Sequence, residues 1–256
     1  MNENLLANIR IVLVEPAGAL NLGSIARVMK NMGLTNLVLV NPRCDRHDEA
    51  ARIMAVHAAD VLDNAIVVDS LPQALAGCQR AIATTVRSRS VPINLEPPAT
   101  VLPWLLTPNV RSALMFGAED RGLSNDELKY AQKFVCIQSN PDYPSLNLAQ
   151  AVSICAYELY QAWLRISGDS TQTISFQPQT AEESIVTNAP IDVLEGYYQH
   201  LEDLLLEVGY LQPHTATVKM EKFRRLYNKA NLQPEEVAML RGILRQVSWA
   251  INNKSN

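Results

Sequence analysis

The feature that most constrains the fold is an alternation of short apolar runs with helical patterns through the first half of the chain. Residues 9–15 and 37–40 form apolar, β-branched runs typical of strands, and residues 21–31 between them have helical spacing. The same alternation continues with strand-like runs at 66–68, 81–85, 113–116 and 134–137 and helical stretches at 71–76 and 125–131. Strands that alternate with helices predict an α/β domain with a largely parallel sheet buried on both faces.

The second half of the chain changes character. Residues 146–166 have a helical pattern, and the polar stretch that follows is rich in Ser, Thr and Gln. Three further helical segments then appear at 191–208, 217–230 and 234–252. We therefore expect an α/β domain at 1–166, a linker at 167–189 and a small helical C-terminal extension at 190–256.

Composition and short motifs exclude several classes of protein. The 256 residues are 48% hydrophobic and 19% charged, as in an ordinary globular protein. Neither an export signal nor an apolar run of about 18 residues is evident, so we expect a cytoplasmic protein with no membrane partner. The four cysteines lack C-x-x-C spacing and the histidines are isolated, which disfavours disulfides and any metal. The chain also lacks G-x-G-x-x-G, P-loop and G-x-S-x-G sequences.

Charge is distributed unevenly along the chain. The formal net charge is −4, but the residues from Thr215 onward carry eight basic and three acidic side chains, a local charge of +5. A local basic face can bind phosphate on an acidic molecule, because the Debye length is only about 8 Å at physiological salt. A solvated helix surface is the equally weighted alternative.

Three polar clusters follow predicted strands, at the sheet edge where ligands of open α/β domains collect. The first runs from Asn21 to Arg27, the second is F-G-A-E-D-R-G-L at 116–123, and the third contains Ser145 and Asn147 before a long helix. Each has an ordinary reading when taken alone: an Asn N-cap with a solvated Arg, a connecting turn, and a Ser145 N-cap. Only their combination is specific.

Together and in this order, N-x-G-x-x-x-R, F-G-x-E-x-x-G-L and S-L-N-L-A-x-A resemble the SPOUT class of RNA methyltransferases, in its SpoU branch. The resemblance covers roughly residues 8–165. The run A-T-T-V-R-S-R at 83–89 and the helical extension are most similar to the TrmJ-type tRNA ribose methyltransferases of that branch. The resemblance implies a six-stranded parallel sheet with a deep C-terminal trefoil knot, and a homodimer packed through the knot.

The resemblance also implies S-adenosylmethionine as cofactor and methyl transfer to a ribose 2′-hydroxyl. The cofactor-binding residues that it implies are Ala83, Thr84, Thr85, Gly117, Ile137, Leu146 and Asn147. The implied catalytic residues are Asn21, Arg27, Glu119, Ser145 and Asn147. The family credits Arg27 with activating the hydroxyl. Because guanidinium groups stay protonated in proteins, we hypothesise instead that Arg27 clamps a phosphate and stabilises negative charge on the 2′-oxygen. Glu119 is expected to orient Arg27, to hold its loop or to cap a helix.

The expected substrate is tRNA, methylated on cytidine or uridine at the first nucleotide of the anticodon loop, tRNA position 32. The helical extension is the expected tRNA-binding element, with Lys222, Arg224, Arg225 and Lys229 as its contacts. The interleaved Phe223 and Tyr227 are expected to face the core. Three alternatives stay open: an rRNA methyltransferase of the same class, a non-catalytic RNA-binding protein on this scaffold, and a nucleotide-dependent small-molecule enzyme.

Overall fold

The computed structural model describes residues 5–86, 94–168 and 188–254. These residues form two compact units, which we call the sheet unit and the helical unit. The sheet unit contains one sheet whose described strands are all parallel, in the order β3-β2-β1-β6-β4-β7-β5. Their bounds are Ile9–Val14 (β1), Asn36–Val40 (β2), Ile66–Val68 (β3), Arg80–Thr84 (β4), Leu95–Glu96 (β5), Ser112–Phe116 (β6) and Lys133–Val135 (β7).

The central strands of this sheet are mostly apolar, as expected of parallel strands that are buried on both faces. Every residue of β6 is buried, and so is every residue of β1 except Arg10. The helices of the sheet unit are Ala19–Asn31 (α1), Glu49–Ala55 (α2), Ala59–Asp63 (α3), Leu71–Leu75 (α4), Pro98–Val101 (α5), Asn125–Leu128 (α6) and Leu148–Ser167 (α7). Short 3₁₀ helices lie at Leu5–Asn8 and Leu102–Leu105.

Strand order determines where the polar clusters meet. β1 pairs with β2 on one side and with β6 on the other, and β4 follows β6. The paired residues Leu13 and Phe116 lie next to each other at the carboxyl ends of β1 and β6. β7 lies beside β4, so the segments that follow β1, β6 and β7 and carry the three clusters emerge at the same edge of the sheet, near the switch point where α/β proteins bind ligands.

The helical unit is formed mainly by three helices, Ile191–Glu207 (α8), Ala216–Ala230 (α9) and Pro234–Lys254 (α10). Its core contains the buried Tyr197, Tyr198 and Leu201 of α8, together with Met220 of α9 and Val237 of α10. The rings of Tyr197 and Tyr227 meet edge to face, with centroids 5.2 Å apart, a favourable aromatic geometry.

The structure confirms the predicted α/β class with one parallel sheet and a helical C-terminal part. The strand count differs from the expected six, because the described residues include seven strands, of which β5 is a two-residue edge strand. Helices α2, α3 and α5 were not predicted; all three are seven residues or shorter. Residues 169–187 of the predicted linker and 87–89 of the resembling run lie outside the described residues. The domain boundaries stay a prediction.

Candidate active site

Glu119 binds the N-terminus of α1, although it comes from the loop after β6. Its Oε2 accepts from the N–H of Ala17 at 3.0 Å, and its Oε1 accepts from the N–H of Gly18 at 3.1 Å. The first N–H groups of a helix have no partner within it, and Gly18, the N-cap of α1, has no side chain to supply one. The carboxylate of Glu119, which is distant in sequence, therefore caps the helix. Its negative charge is also stabilised by the positive end of the helix dipole.

These hydrogen bonds control the charge of Glu119. Partial burial by itself raises the pKa of its carboxyl group, but the hydrogen bonds donated by Ala17, Asn21 and Gly18 outweigh burial, and the net pKa lies below the ordinary value. Glu119 is therefore ionised near neutral pH with both oxygens engaged. Such a carboxylate is suited to fixing donors in place and poorly suited to accepting a proton.

Asn21 and Asn147 extend this arrangement into a continuous chain of hydrogen bonds. Asn21 Nδ2 donates to Glu119 Oε1 at 3.2 Å, and Asn147 Nδ2 donates to Asn21 Oδ1 at 2.9 Å. Asn147 Oδ1 in turn accepts from the N–H groups of Ala149 at 2.9 Å and Gln150 at 3.3 Å, at the start of α7. The chain links all three polar clusters.

The chemistry at its two ends fixes the direction of this chain. An ionised Glu119 can only accept, and the backbone N–H groups of α7 can only donate. The two side chains between them must each donate on one side and accept on the other. An amide does this and a carboxylate does not, which explains asparagine at both Asn21 and Asn147.

The ordinary readings of the first and third clusters as N-caps at Asn21 and Ser145 are wrong. Gly18, not Asn21, is the N-cap of α1, and Asn147, not Ser145, is the N-cap of α7. Asn21 is the third residue of α1, where its side chain is free to bridge Glu119 and Asn147. Ser24 Oγ donates within the helix to the carbonyl of Leu20 at 2.8 Å.

Arg27 stands apart from this chain. It lies six residues after Asn21, about 9 Å along the helix axis, and its side chain is exposed. Helical periodicity places it on the same side of α1 as Leu20 and Ser24. Among the described residues, Arg27 makes no hydrogen bond or ion pair. Within one copy of the chain, Glu119 therefore does not orient Arg27.

A cavity of about 150 Å³ lies beside Glu119, between the ends of β4, β6 and β7 and the entry to α7. Seven of the implied site residues line it: Thr84, Thr85, Gly117, Glu119, Ile137, Ser145 and Leu146. Four do not, namely Asn21, Arg27, Ala83 and Asn147. Ala83 is fully buried within β4. In the described part of the chain the exposed Ser145 hydroxyl has no hydrogen-bond partner.

Other residues of the cavity wall were not among those that the sequence implied. They are Val86, Phe116, Ala118, Asp120, Arg121, Gly122, Leu123, Val135, Leu148 and Ala151. Six of them belong to the run 116–123, so a signal for them was present in the glycine-flanked charged segment. No sequence signal distinguishes Val135 and Ala151 from ordinary core residues.

Glycine is required at Gly117 because the loop folds back against it. A Cβ there would lie 2.1 Å from the backbone carbon of Gly122 and 2.2 Å from the nitrogen of Leu123. Gly122 N–H donates to the carbonyl of Ala118 at 2.8 Å, and Gly122 has a φ of +70°, which favours glycine. The loop after β6 is thus tightly closed on itself beside the cavity.

The basic residues of α9 fall into two groups. Lys222, Arg225 and Lys229 share one side of the helix by their spacing, with both lysines exposed. Arg224 points elsewhere: it forms an ion pair with Glu195 and lies 4.6 Å from the ring centre of Tyr198. Phe223 and Tyr227 pack against the core of the helical unit, as predicted.

Two kinds of site are absent from the described residues. No group of three or more His, Cys, Asp or Glu side chains there could hold a metal ion. None of the helices within residues 5–86, 94–168 and 188–254 is long and apolar enough to cross a membrane.

Comparison with known proteins identifies the family. Residues 8–157 match the SpoU rRNA methylase family, and residues 192–256 match the C-terminal domain of the tRNA methyltransferase TrmJ. A tRNA (cytidine/uridine-2′-O-)-methyltransferase TrmJ of Cronobacter sakazakii is 42% identical over 253 residues, covering 98% of this chain and 100% of the relative. The Citrobacter koseri protein of the same name is 43% identical and covers 95% of this chain and 97% of the relative.

A solved structure agrees with these sequence matches. The crystal structure of TrmJ from Z. mobilis superimposes with a TM-score of 0.79 at 31% identity, covering 93% of this chain and 98% of that one. The resemblance carried by the three polar clusters is thereby confirmed. This chain belongs to the SpoU rRNA methylase family.

Proposed function

We propose that this protein transfers a methyl group from S-adenosylmethionine to the ribose 2′-hydroxyl of cytidine or uridine in tRNA, at the first nucleotide of the anticodon loop. The observation that carries the proposal is the hydrogen-bonded chain from Glu119 through Asn21 to Asn147, placed beside a cavity. Near-full-length identity of 42–43% to enzymes named for this reaction supports the substrate class. Since tRNA is a cytoplasmic molecule, the proposal assigns the protein to the cytoplasm.

The residues of the cavity suit the proposed cofactor. Ile137 and Leu146 offer an apolar wall for a flat purine, and Thr84, Thr85 and the backbone at Gly117 offer polar atoms at its edge. When bound, S-adenosylmethionine supplies an electrophilic methyl group on a sulfonium. The implied cofactor residues Ala83 and Asn147 do not line the cavity. They would act indirectly, because Ala83 helps to position β4 and Asn147 helps to position the N-terminus of α7.

Residues of the protein itself position the helices of the site and bind the RNA. Glu119 fixes the start of α1, and the Asn21–Asn147 pair ties it to the start of α7. The Ser145 hydroxyl, which has no partner among the residues that the structure describes, lies at the cavity and is placed to hydrogen-bond the ribose hydroxyl. Arg27, unpaired and exposed within the described residues, is suited to binding an RNA phosphate as a fixed cation.

We also propose the C-terminal knot and the homodimer that the family resemblance implies, and the homodimer has support from exposed apolar side chains. Leu20 of α1 is 58% exposed and Tyr157 of α7 is 50% exposed, so the two helices that carry Asn21 and follow Asn147 present apolar side chains to solvent. We expect a second copy of the chain to cover them, which would bring additional groups toward Arg27. Light scattering of wild type and of Tyr157→Asp measures this; a monomeric wild type contradicts it.

The basic face of α9 is the proposed tRNA contact, with Lys222, Arg225 and Lys229 as its cations. Each phosphate contact contributes a slope of roughly 0.7–0.9 to the dependence of log affinity on log salt concentration. Replacing all three by alanine should therefore lower the slope by about 2 to 3. S-adenosylmethionine affinity should not change. A triple variant with the wild-type slope would remove α9 from the RNA-binding surface.

The deciding experiment is transfer of labelled methyl from S-adenosylmethionine to purified tRNA and rRNA, followed by mapping of the modified nucleotide. Label on a cytidine or uridine 2′-oxygen of tRNA supports the proposal. Label on rRNA alone favours the ribosomal alternative. Absence of S-adenosylmethionine binding by calorimetry favours a non-catalytic RNA-binding protein. Nucleoside analysis of tRNA from cells lacking this protein provides an independent check.

A further inference from the structure

Arg121 is held by two carboxylates on different elements. Its NH1 and NH2 each lie 2.9 Å from an oxygen of Glu127, a bidentate pair, and its NH2 lies 3.2 Å from Glu15 Oε2. Pairing with Glu127 raises the pKa of the guanidinium above its ordinary value. The fork geometry makes this pair stronger and more directional than a simple surface ion pair.

Both partners of Arg121 are themselves fixed. Glu127 forms a capping box with Ser124 at the start of α6, and its carboxylate is largely buried, with 17% of the side chain exposed. Glu15 follows β1 directly and has a φ of +50°, a rare conformation for a residue other than glycine. The Arg121 guanidinium therefore connects the end of β1 to the start of α6.

Three consecutive residues of the loop after β6 reach three different places. Glu119 caps α1, Asp120 forms a bidentate pair with Arg43 at 3.0 and 3.2 Å, and Arg121 joins Glu15 and Glu127. The same loop forms part of the cavity wall. A displacement of the loop at Arg121 would therefore move Glu119 away from α1 and alter the wall at the same time.

We infer that Arg121 is a positioning residue, which holds the loop so that Glu119 caps α1 and the wall keeps the shape that S-adenosylmethionine requires. The inference rests on the proposed function only for its effect on ligand binding. Its effect on the cap of α1 concerns this chain alone. Arg121 acts through its two carboxylates and needs no contact with substrate.

The test compares Arg121→Ala and Arg121→Lys with the control Arg52→Ala. Arg52 is similar in kind: it is partly exposed and pairs with Asp63 at 2.7 Å in the same unit, away from the loop. Hydrogen exchange at the amides of Ala17 and Gly18 reports the Glu119 cap without any ligand. We expect exchange there to be about tenfold faster in Arg121→Ala than in the control, and intermediate in Arg121→Lys, which keeps the charge but loses the fork.

Ligand measurements complete the test. S-adenosylmethionine affinity should fall about tenfold in Arg121→Ala while the KM for tRNA stays within about twofold, because Arg27 and the basic residues of α9, which we assign to tRNA binding, are unchanged. Exchange rates and affinities equal to those of Arg52→Ala would overturn the inference. If Arg121→Ala fails to fold, Glu127→Gln, which keeps a capping oxygen for Ser124, should raise exchange at the same two amides; unchanged exchange there would overturn the inference equally. A wild type without S-adenosylmethionine binding would refute the proposed function, and the exchange experiment would still decide the role of Arg121.

Discussion

Replacing Asn147 by aspartate separates stability from catalysis at one position. Asn147 caps α7 through Oδ1 and donates to Asn21 through Nδ2. The substitution Asn147→Asp keeps an oxygen that caps the helix but turns the donor into a second acceptor, which faces Asn21 Oδ1. Asn147→Ala removes both functions and serves as the comparison.

The structure gives the expected magnitudes. In Asn147→Ala, loss of the cap costs about 1 kcal/mol and loss of the amide hydrogen bond costs about 1 kcal/mol more. The sum of about 2 kcal/mol corresponds to a fall in Tm of about 4 to 8 °C for a unit of this size. In Asn147→Asp the cap remains, and a negative charge at the helix N-terminus contributes about 0.3–1 kcal/mol, which largely offsets the lost hydrogen bond. Its stability should lie within about 1 kcal/mol of wild type.

Urea unfolding and single-turnover methyl transfer to tRNA measure the two effects. Asn147→Asp should unfold nearly as wild type does but transfer methyl at least about tenfold more slowly, equivalent to about 1.4 kcal/mol in the barrier. The reason is that the oriented chain from Glu119 to α7 no longer has a consistent direction. An aspartate variant with wild-type turnover, or one as unstable as Asn147→Ala, would show that the two functions of Asn147 are not separable in this way.

Three further predictions concern packing, pH and the helical unit. In Gly23→Ala the new Cβ would lie 2.1 Å from a backbone oxygen of α2, so the free energy of unfolding in urea should fall by about 1–3 kcal/mol. Its control is Gly242→Ala, where a Cβ has open space around it and should stabilise α10 by up to about 1 kcal/mol. Because the folded pKa of Glu119 is depressed, the stability difference between wild type and Glu119→Gln should be constant above pH 4.5, its ordinary pKa, and shrink as pH falls further; a flat difference down to pH about 2 would contradict this. Arg224→Ala should lower the Tm of the helical unit by removing a largely buried ion pair, an effect that calorimetry should not find in Lys222→Ala.

Sequence patterns predicted local structure better than they predicted partners. Apolar periodicity located the β1, β4 and β6 strands and the long helices to within a few residues, because buried faces dictate those residues directly. Periodicity could not predict that β6 pairs with β1, from which it is separated by about a hundred residues. Strand order depends on long-range contacts, which local sequence patterns do not report. The caps show the same limit. Gly18 offers no side-chain cap, and its partner Glu119 comes from the loop after β6, which only the fold brings near.

Arg27 is separated in space from the hydrogen-bonded residues Glu119, Asn21 and Asn147. The hydrogen bonds that join Glu119, Asn21 and Asn147 lie at the N-terminal turn of α1, whereas Arg27 lies almost two turns further along and on a different side of the helix. A rigid helix holds these groups at a fixed separation, so a cation at Arg27 cannot neutralise Glu119 and stays available to an anion from outside. RNA has a phosphate at every nucleotide. Helix α1 can therefore hold Asn21 near the cavity wall while Arg27 binds the phosphate backbone of the substrate. Arg27→Lys should then retain much of the tRNA affinity of wild type and Arg27→Ala should lose it, while S-adenosylmethionine binding is the same in both variants; a loss of S-adenosylmethionine binding in either would show that Arg27 belongs to the cavity instead.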